Sequence, residues 1–487
     1  MRDALLWILA GMVFAGAIPP IVGCYQFGLA GLHRFRRAND DTLAFWPNVA
    51  LIIPAWNEGL VLARTIDRLA ALEYPPGRLR IYVVDDASTD DTPEILAAKG
   101  REYPGLVHHL RREKGGEGKA HTINHGLRQI VAEGWYEAVL IIDADVILTP
   151  PALRRMTRHL ADESVGAVTA YIKEGSRPAS WLNRFVAFEY ITAQAAARRA
   201  QNVLGAQACL AGGAQLVRRE SLEAIGGEID TTTLAEDTVT TFKIQLDGKR
   251  VIFEPAAVVW AEEPRKLEAL WKQRLRWGRG NVQVTLRFRD VWFQRWNAGR
   301  LGGISFAAIW FTVTLMPIFM VAASTGLVAL FLLDREFSNE VFRVLWAINV
   351  FTYLFITLSS FSVDPKTARG AWREGLLFPG AISLSIIIWA AYPPILAGTG
   401  LNESNTGLTI FLLFIYSWLA LSMVAAWAVR RLEMSGHLPW LVAPLLYIVG
   451  YGPLLTAMTA GAYIKEMQGA EMKWDKTEKT GQVGELT

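Results

Sequence analysis

Two apolar patterns divide the chain: short runs between charged and turn-forming residues from Trp46 to about Arg300, and long blocks from Leu301 onward. The first short run, Val49 to Ala55, is continuously apolar, as a strand covered on both faces requires. A helical spacing through Leu60, Ala63, Ile66 and Leu69 follows, and Tyr74-Pro75-Pro76 ends it. The alternation repeats as a strand over Arg80 to Asp86, a helix capped after Ser88-Thr89-Asp90, a strand near Leu106, a helix from Lys119 and a strand from Val139 to Asp143. Strands alternating with helices predict an α/β domain with a mainly parallel, Rossmann-like sheet.

The long blocks run over 303–333, 341–361, 376–399, 407–429 and 438–464, each near or above the ~20 residues that cross a bilayer as a helix. Residues 4–32 are nearly uncharged and end in His33-Arg34-Phe35-Arg36-Arg37, which predicts one further span with a cytoplasmic basic flank. A signal peptide fits less well, because the stretch is long and no small-residue cleavage site precedes the basic cluster. The expected organisation is an anchor over 1–37, an α/β domain over 46–300, a helical membrane region of four or five crossings over 301–465, and a polar tail over 466–487. Pro393-Pro394 and Pro444 are expected helix breaks. Arg430-Arg431 and Lys366, Arg369 and Arg373 mark cytoplasmic loops, so five full crossings would leave the tail outside; an interfacial or re-entrant block, 376–399 or 303–333, would keep it inside.

Composition adds limits. With 487 residues, 52% of them hydrophobic, and a net charge of +3 spread along the chain, there is no basic patch for nucleic acid, and membrane lipid is the expected surrounding. The two cysteines, Cys24 and Cys209, are too far apart in sequence to suggest a disulfide framework or a metal cluster.

The candidate chemistry lies at strand ends, where open α/β sheets bind ligands. Asp143-Ala-Asp145 leaves a buried strand with two carboxylates that could hold Mg²⁺ or Mn²⁺ while a nucleotide diphosphate supplies further ligands. Asp85-Asp86 ends another strand; Asp85, Ser88 and Asp90 equally suit a turn or a helix cap. Gln273, Arg276 and Trp277 share one helical face, and with Trp271, Lys272, Arg274 and Arg279 they would also suit a basic helix at a membrane surface.

Taken in order, Asp85-Asp86, Asp143-Ala-Asp145, Glu236-Asp237 and Gln273-x-x-Arg276-Trp277 resemble the D, DxD, (E/D)D, QxxRW pattern of the membrane-integrated family-2 glycosyltransferases. That group includes synthases of cellulose, chitin, hyaluronan and poly-N-acetylglucosamine. The resemblance implies a GT-A-like cytoplasmic domain joined to an α-helical transmembrane domain, a UDP-sugar donor, and a growing polysaccharide as acceptor. It implies that Glu58, Asp85, Asp86 and Lys119 meet the nucleotide, that Asp145 is the surer metal ligand and Asp143 its companion, and that Asp237 beside Glu236 is the general base. Arg276 would neutralise diphosphate and Gln273 and Trp277 would meet the acceptor. Lys119 could instead be an exposed lysine at a helix start. Ala235 stands where related synthases carry Thr, and Gly212-Gly213 resembles their glycine-rich acceptor segment. Phe361-Ser-Val-Asp-Pro-Lys366 partly resembles a cellulose-synthase loop, with Asp364 in place of Thr, and Lys473 to Thr480 resembles synthase endings. A processive polymerase that exports its product, with room for partners in an outer envelope, is one reading; a glycolipid transferase adding a single sugar is the other.

Overall fold

The computed structural model describes residues 1–36, 44–392, 406–472 and 480–483. Pro393-Pro394 and Lys473 to Lys479, singled out above, lie outside the described residues. The chain divides into a sheet unit, Leu29–Arg265 with Gln283–Ala307 and Ala470–Thr487, and a helical unit, Met1–Gly28 with Lys266–Val282 and Ala308–Gly469.

Among its described residues the sheet unit holds eight strands: β1 Val49–Ala55, β2 Leu79–Asp85, β3 Val107–Arg111, β4 Ala138–Ile141, β5 Val146–Leu148, β6 Val165–Glu174, β7 Gln215–Arg218 and β8 Arg250–Ala261. Their order is β3-β2-β1-β4-β7-β6-β8-β5. The first four are parallel; β7 runs against both β4 and β6, β8 runs parallel to β6, and β5 runs against β8. Parallel neighbours need crossovers, supplied by helices Gly59–Ala70, Thr92–Glu102 and Lys119–Glu133. These are the elements the alternating pattern predicts. The helix Gly59–Ala70 buries Val61, Leu62, Ile66 and Leu69, each contributing roughly 1.5–3 kcal/mol if fully buried. Ile52, Val84, Ile123, Leu127 and Val139 meet in the core between sheet and helices. Every strand that carries an acidic pair is therefore anchored by a dry interior, and its carboxyl end is left to the loops.

Among the described residues of the helical unit, Met316–Leu333, Arg335–Val363 and Thr406–Ser435 are long and apolar enough to cross a membrane; two bent pairs raise the count to five if each is one span. The block 303–333 is two helices, Ile304–Thr314 and Met316–Leu333, with Pro317 in the first turn of the second, where its missing N–H costs nothing. The N-terminal stretch is likewise a pair, Arg2–Ala15 and Ile18–His33, bent by 44°. Pro444 breaks nothing: it lies inside the helix Pro439–Val449. The break comes at Gly450 (φ +108°), where the chain turns by 97° into Tyr451–Met467. A Cβ at Gly450 would lie 2.5 Å from the carbonyl carbon of Pro379, so both the conformation and the close approach require glycine. Small residues also let helices meet: a Cβ on Gly326 would stand 2.8 Å from Leu9 O. Asp364 caps the helix Pro365–Gly370, accepting from Thr367 N at 3.2 Å and Thr367 Oγ1 at 2.8 Å.

Candidate active site

The loops after β1 and β2 are tied together. Asn57 N donates to Ser88 Oγ at 2.9 Å, Thr89 N donates back to Asn57 Oδ1 at 2.8 Å, and Glu58 N donates to Thr92 Oγ1 at 2.9 Å. Asn57 and Ala87 take positive φ, 54° and 56°, at the two bends, a conformation that costs a non-glycine residue and persists where its surroundings enforce it. Asp85 is fully buried. Its Oδ1 accepts from Ser88 N at 2.8 Å, as the turn reading expects, while Oδ2 accepts no hydrogen bond and faces Arg111 Nε at 3.4 Å. Asp86 pairs with Arg112 and accepts from Gly116 N at 3.0 Å. The run Gly115-Gly116-Glu117-Gly118 closes on it so tightly that a Cβ at Gly115 would collide with Asp86 O. That glycine run was the visible signal for a contact which motif order alone misses.

Lys119 opens the helix behind that turn. Its side chain is only 8% exposed, so it is not a surface lysine; Nζ lies 2.5 Å from Asp143 Oδ1 and donates to Gly212 O at 3.3 Å. Burial pushes the ammonium's pKa down, but Asp143, Glu236 and Asp237 push it up by more, and the net shift is upward. The charged form is therefore held among three carboxylates drawn from two parts of the sequence.

Glu236 and Asp237 begin the helix Glu236–Leu246, whose N-cap is Ala235 and which has no side-chain cap. The preceding loop is held otherwise: Leu234 N donates to Gln283 Oε1 at 2.9 Å, and Asp230 binds Arg287 through both oxygens at 2.7 and 2.9 Å. Acidic residues suit a helix N-terminus, where the backbone dipole favours negative charge. A Cβ at Gly212 would lie 3.3 Å from Lys119 Nζ and 3.5 Å from Asp237 Oδ2, so the bare backbone of Gly212 occupies the gap between ammonium and carboxylate. On the far side is Cys209, its thiol pKa pushed well up by burial and then by Asp237. Asp143 and Asp145 flank Ala144, whose carbonyl accepts from Thr65 Oγ1 at 2.7 Å.

The structure thus brings Lys119, Asp143, Glu236 and Asp237 together, with Asp85, Asp86 and Glu58 in the linked loops at the ends of β2 and β1. Gln273, Arg276 and Trp277 lie on the helix Leu267–Arg287, in its helical-unit stretch. There Glu433 accepts from Leu267 N and Glu268 N at 3.0 and 2.7 Å, Arg430 grips Glu268 at 2.7 and 3.2 Å, and Arg279 pairs with Glu466 at 2.5 Å. Arg274 lies 4.1 Å over the Trp277 ring, a cation–π contact. The basic residues of this helix are thus partly structural, as the interfacial reading allowed.

Among the described residues no set of three His, Cys, Asp or Glu side chains converges as a metal cage. Two carboxylates at a strand end fit a hard divalent ion that fills its remaining positions with phosphate oxygen and water.

A mixed sheet with acidic pairs beyond its carboxyl ends defines a GT-A-like nucleotide-sugar transferase fold. A mannosyltransferase from Pyrobaculum calidifontis, solved with GDP-mannose and Mn²⁺, shares it: TM-score 0.51, 22% identity, covering 72% of this chain and 98% of that one. The family described as "Glycosyltransferase like family 2" matches residues 47–280, and this stretch is a family-2 glycosyltransferase domain. Among curated relatives, the probable glycosyltransferase YdaM of Bacillus subtilis is 32% identical over 51% of this chain and 58% of its own length. A poly-β-1,6-N-acetyl-D-glucosamine synthase of Staphylococcus aureus is 28% identical over 49% of this chain and 56% of its own. The match therefore spans little more than half of either relative.

Proposed function

We propose that this chain is an inverting, metal-dependent hexosyltransferase of the membrane. It extends a β-linked polysaccharide from a UDP-sugar, N-acetylglucosamine or glucose, and passes the product through its helical region. The observation that carries the reading is the Lys119, Asp143, Asp237 cluster around Gly212. In this account Asp237 takes the proton from the acceptor hydroxyl as its oxygen bonds to the anomeric carbon; the bond from that carbon to the diphosphate breaks and the electron pair leaves with the diphosphate. Lys119 holds positive charge where the diphosphate carries its negative charge, and Gly212 lets the acceptor end come near both. Asp85, whose buried Oδ2 faces Arg111 Nε at 3.4 Å, is assigned to the uracil ring of the donor. Asp145, with Asp143, would hold Mg²⁺ or Mn²⁺, which when bound neutralises charge on the leaving group. Arg276 and Trp277 are assigned to diphosphate and acceptor sugar. The domain limits proposed are 1–37, 46–300, 301–465 and 466–487, with the catalytic domain in the cytoplasm.

The poly-N-acetylglucosamine synthase relative and the apolar helices favour polymerisation over single addition to a lipid. The test is nucleotide release and product size from purified protein in detergent, with either metal and a panel of UDP- and GDP-sugars. A high-molecular-weight product from one UDP-sugar supports the proposal. A one-sugar product formed only when lipid is added replaces it with the glycolipid transferase, and release without metal overturns the metal assignment.

A further inference from the structure

Thr480 to Val483 lie on the sheet unit, and each of the four residues is tied to it by at least one hydrogen bond. Thr480 N and Oγ1 donate to Glu262 Oε1, both at 2.7 Å, and Gly481 N donates to Glu262 Oε2 at 3.0 Å. Arg64 donates to Gly481 O at 3.3 Å and to Val483 O at 2.6 Å, and Arg177 N donates to Gln482 O at 2.8 Å. Val483 is bridged to Ser176 in antiparallel fashion and is 5% exposed. Its side chain fills a hollow that exists because residue 175 is glycine: a Cβ there would stand 2.9 Å from Val483 Cγ1.

The seat is selective at three of four positions. Glu262 is buried and takes the threonine hydroxyl together with two backbone amides, so a residue without the hydroxyl leaves a buried carboxylate short of a donor. Position 481 has φ +72° and would bring a Cβ to 3.2 Å from Leu60 Cγ, so glycine is required twice over. Gln482 is exposed and free to vary. The pattern read by the seat is Thr-Gly-x-Val, and the mode is strand addition with a side-chain pocket.

The seat is mechanically joined to the acidic stations through the helix Gly59–Ala70. Arg64 and Leu60 hold the strap; the adjacent Thr65 donates to the carbonyl between Asp143 and Asp145, and Gly59 N at the helix start donates to Asp90 Oδ2 at 3.1 Å. We propose that Arg64, Glu262, Gly175 and Arg177 form a peptide-binding site for a Thr-Gly-x-Val segment, filled here by the chain's own residues 480–483. Its occupancy fixes the helix Gly59–Ala70, and so tightens the nucleotide-sugar site. The second half of the inference rests on the function proposed above; the first does not.

The test uses the full chain carrying Val483→Asp, with Gln482→Ala as the control at the exposed position. In Val483→Asp, amides of residues 59–70 exchange faster, and the donor KM rises about fivefold, the low end of coupling between linked sites, while kcat changes little. An excess of the synthetic peptide Thr480 to Thr487 restores both, and the same peptide carrying Gly481→Val restores neither. Unchanged exchange in Val483→Asp, or equal rescue by the two peptides, overturns the binding site. Restored exchange with an unmoved KM overturns the coupling. Exchange and peptide binding need no turnover, so a chain that consumes no nucleotide sugar would defeat the functional reading and leave the docking result standing.

Discussion

The loop that leads into Glu236 and Asp237 hangs on one carboxylate, and its strength can be worked out. Asp230 accepts from Arg287 at 2.7 and 2.9 Å and from Thr232 N at 2.9 Å, and Lys243 lies 3.5 Å away. Burial raises its pKa, but the Arg287 and Thr232 contacts outweigh this and bring it from 3.8 to about 2. A depressed carboxylate pKa is stabilising above the unfolded value and loses its contribution as pH falls toward the folded value. The shift corresponds to about 2 kcal/mol at pH 7, shrinking to about half of that near pH 3. Arg287→Met should therefore speed amide exchange over residues 229–240 at least ~10-fold at neutral pH, with a smaller gap at pH 3. Because this loop sets the position of the proposed base, kcat should fall while donor affinity is kept. Equal protection at pH 7, or a gap that does not narrow on acidification, would refute the reasoning.

Lys119→Met should lower kcat/KM about 100-fold or more, the cost of losing a charge aimed at developing negative charge; near-native turnover would remove Lys119 from the site. Glu174, buried near Glu263, has its pKa pushed up to about 7, chiefly by burial. A raised carboxylate pKa stabilises at low pH and loses that contribution as pH rises through the folded value, so Glu174→Gln should stabilise the sheet unit at pH 8, by up to about 3 kcal/mol, and by much less at pH 5. A thermal shift of the opposite sign contradicts it. Gly450→Ala forces a Cβ against the Pro379 carbonyl and into a positive φ, and should destabilise by roughly 1–3 kcal/mol, seen as early thermal aggregation in detergent; an unshifted transition would mean that the turn can relax.

The first half of the sheet was legible because β1, β2 and β4 are buried on both faces and read as mostly apolar runs joined by helical spacing. The antiparallel placement of β7 and β5 was not, because pairing partners are set by sheet order rather than by local pattern. The same holds for the site. Three acidic stations could be ordered along the sequence, yet the contact of Lys119 with Asp143 and the closeness of Gly212 to both Lys119 and Asp237 depend on which loops meet above β4. The turn at Gly450 escaped notice because a proline draws attention as a helix breaker, whereas Pro444 loses one hydrogen bond inside a packed helix and the glycine sets the bend. Arg64 and Glu262 gave no signal at all: their partners are Thr480, Gly481 and Val483, more than two hundred positions away.

The central claim, that Asp237 is the base of a sugar transfer, is tested most directly by measuring UDP binding and turnover of Asp237→Asn side by side. The account predicts unchanged nucleotide affinity with transfer lowered by about 10²–10⁴-fold, the range for a missing general base. Transfer within a few-fold of the native rate, or loss of nucleotide binding together with activity, would contradict it.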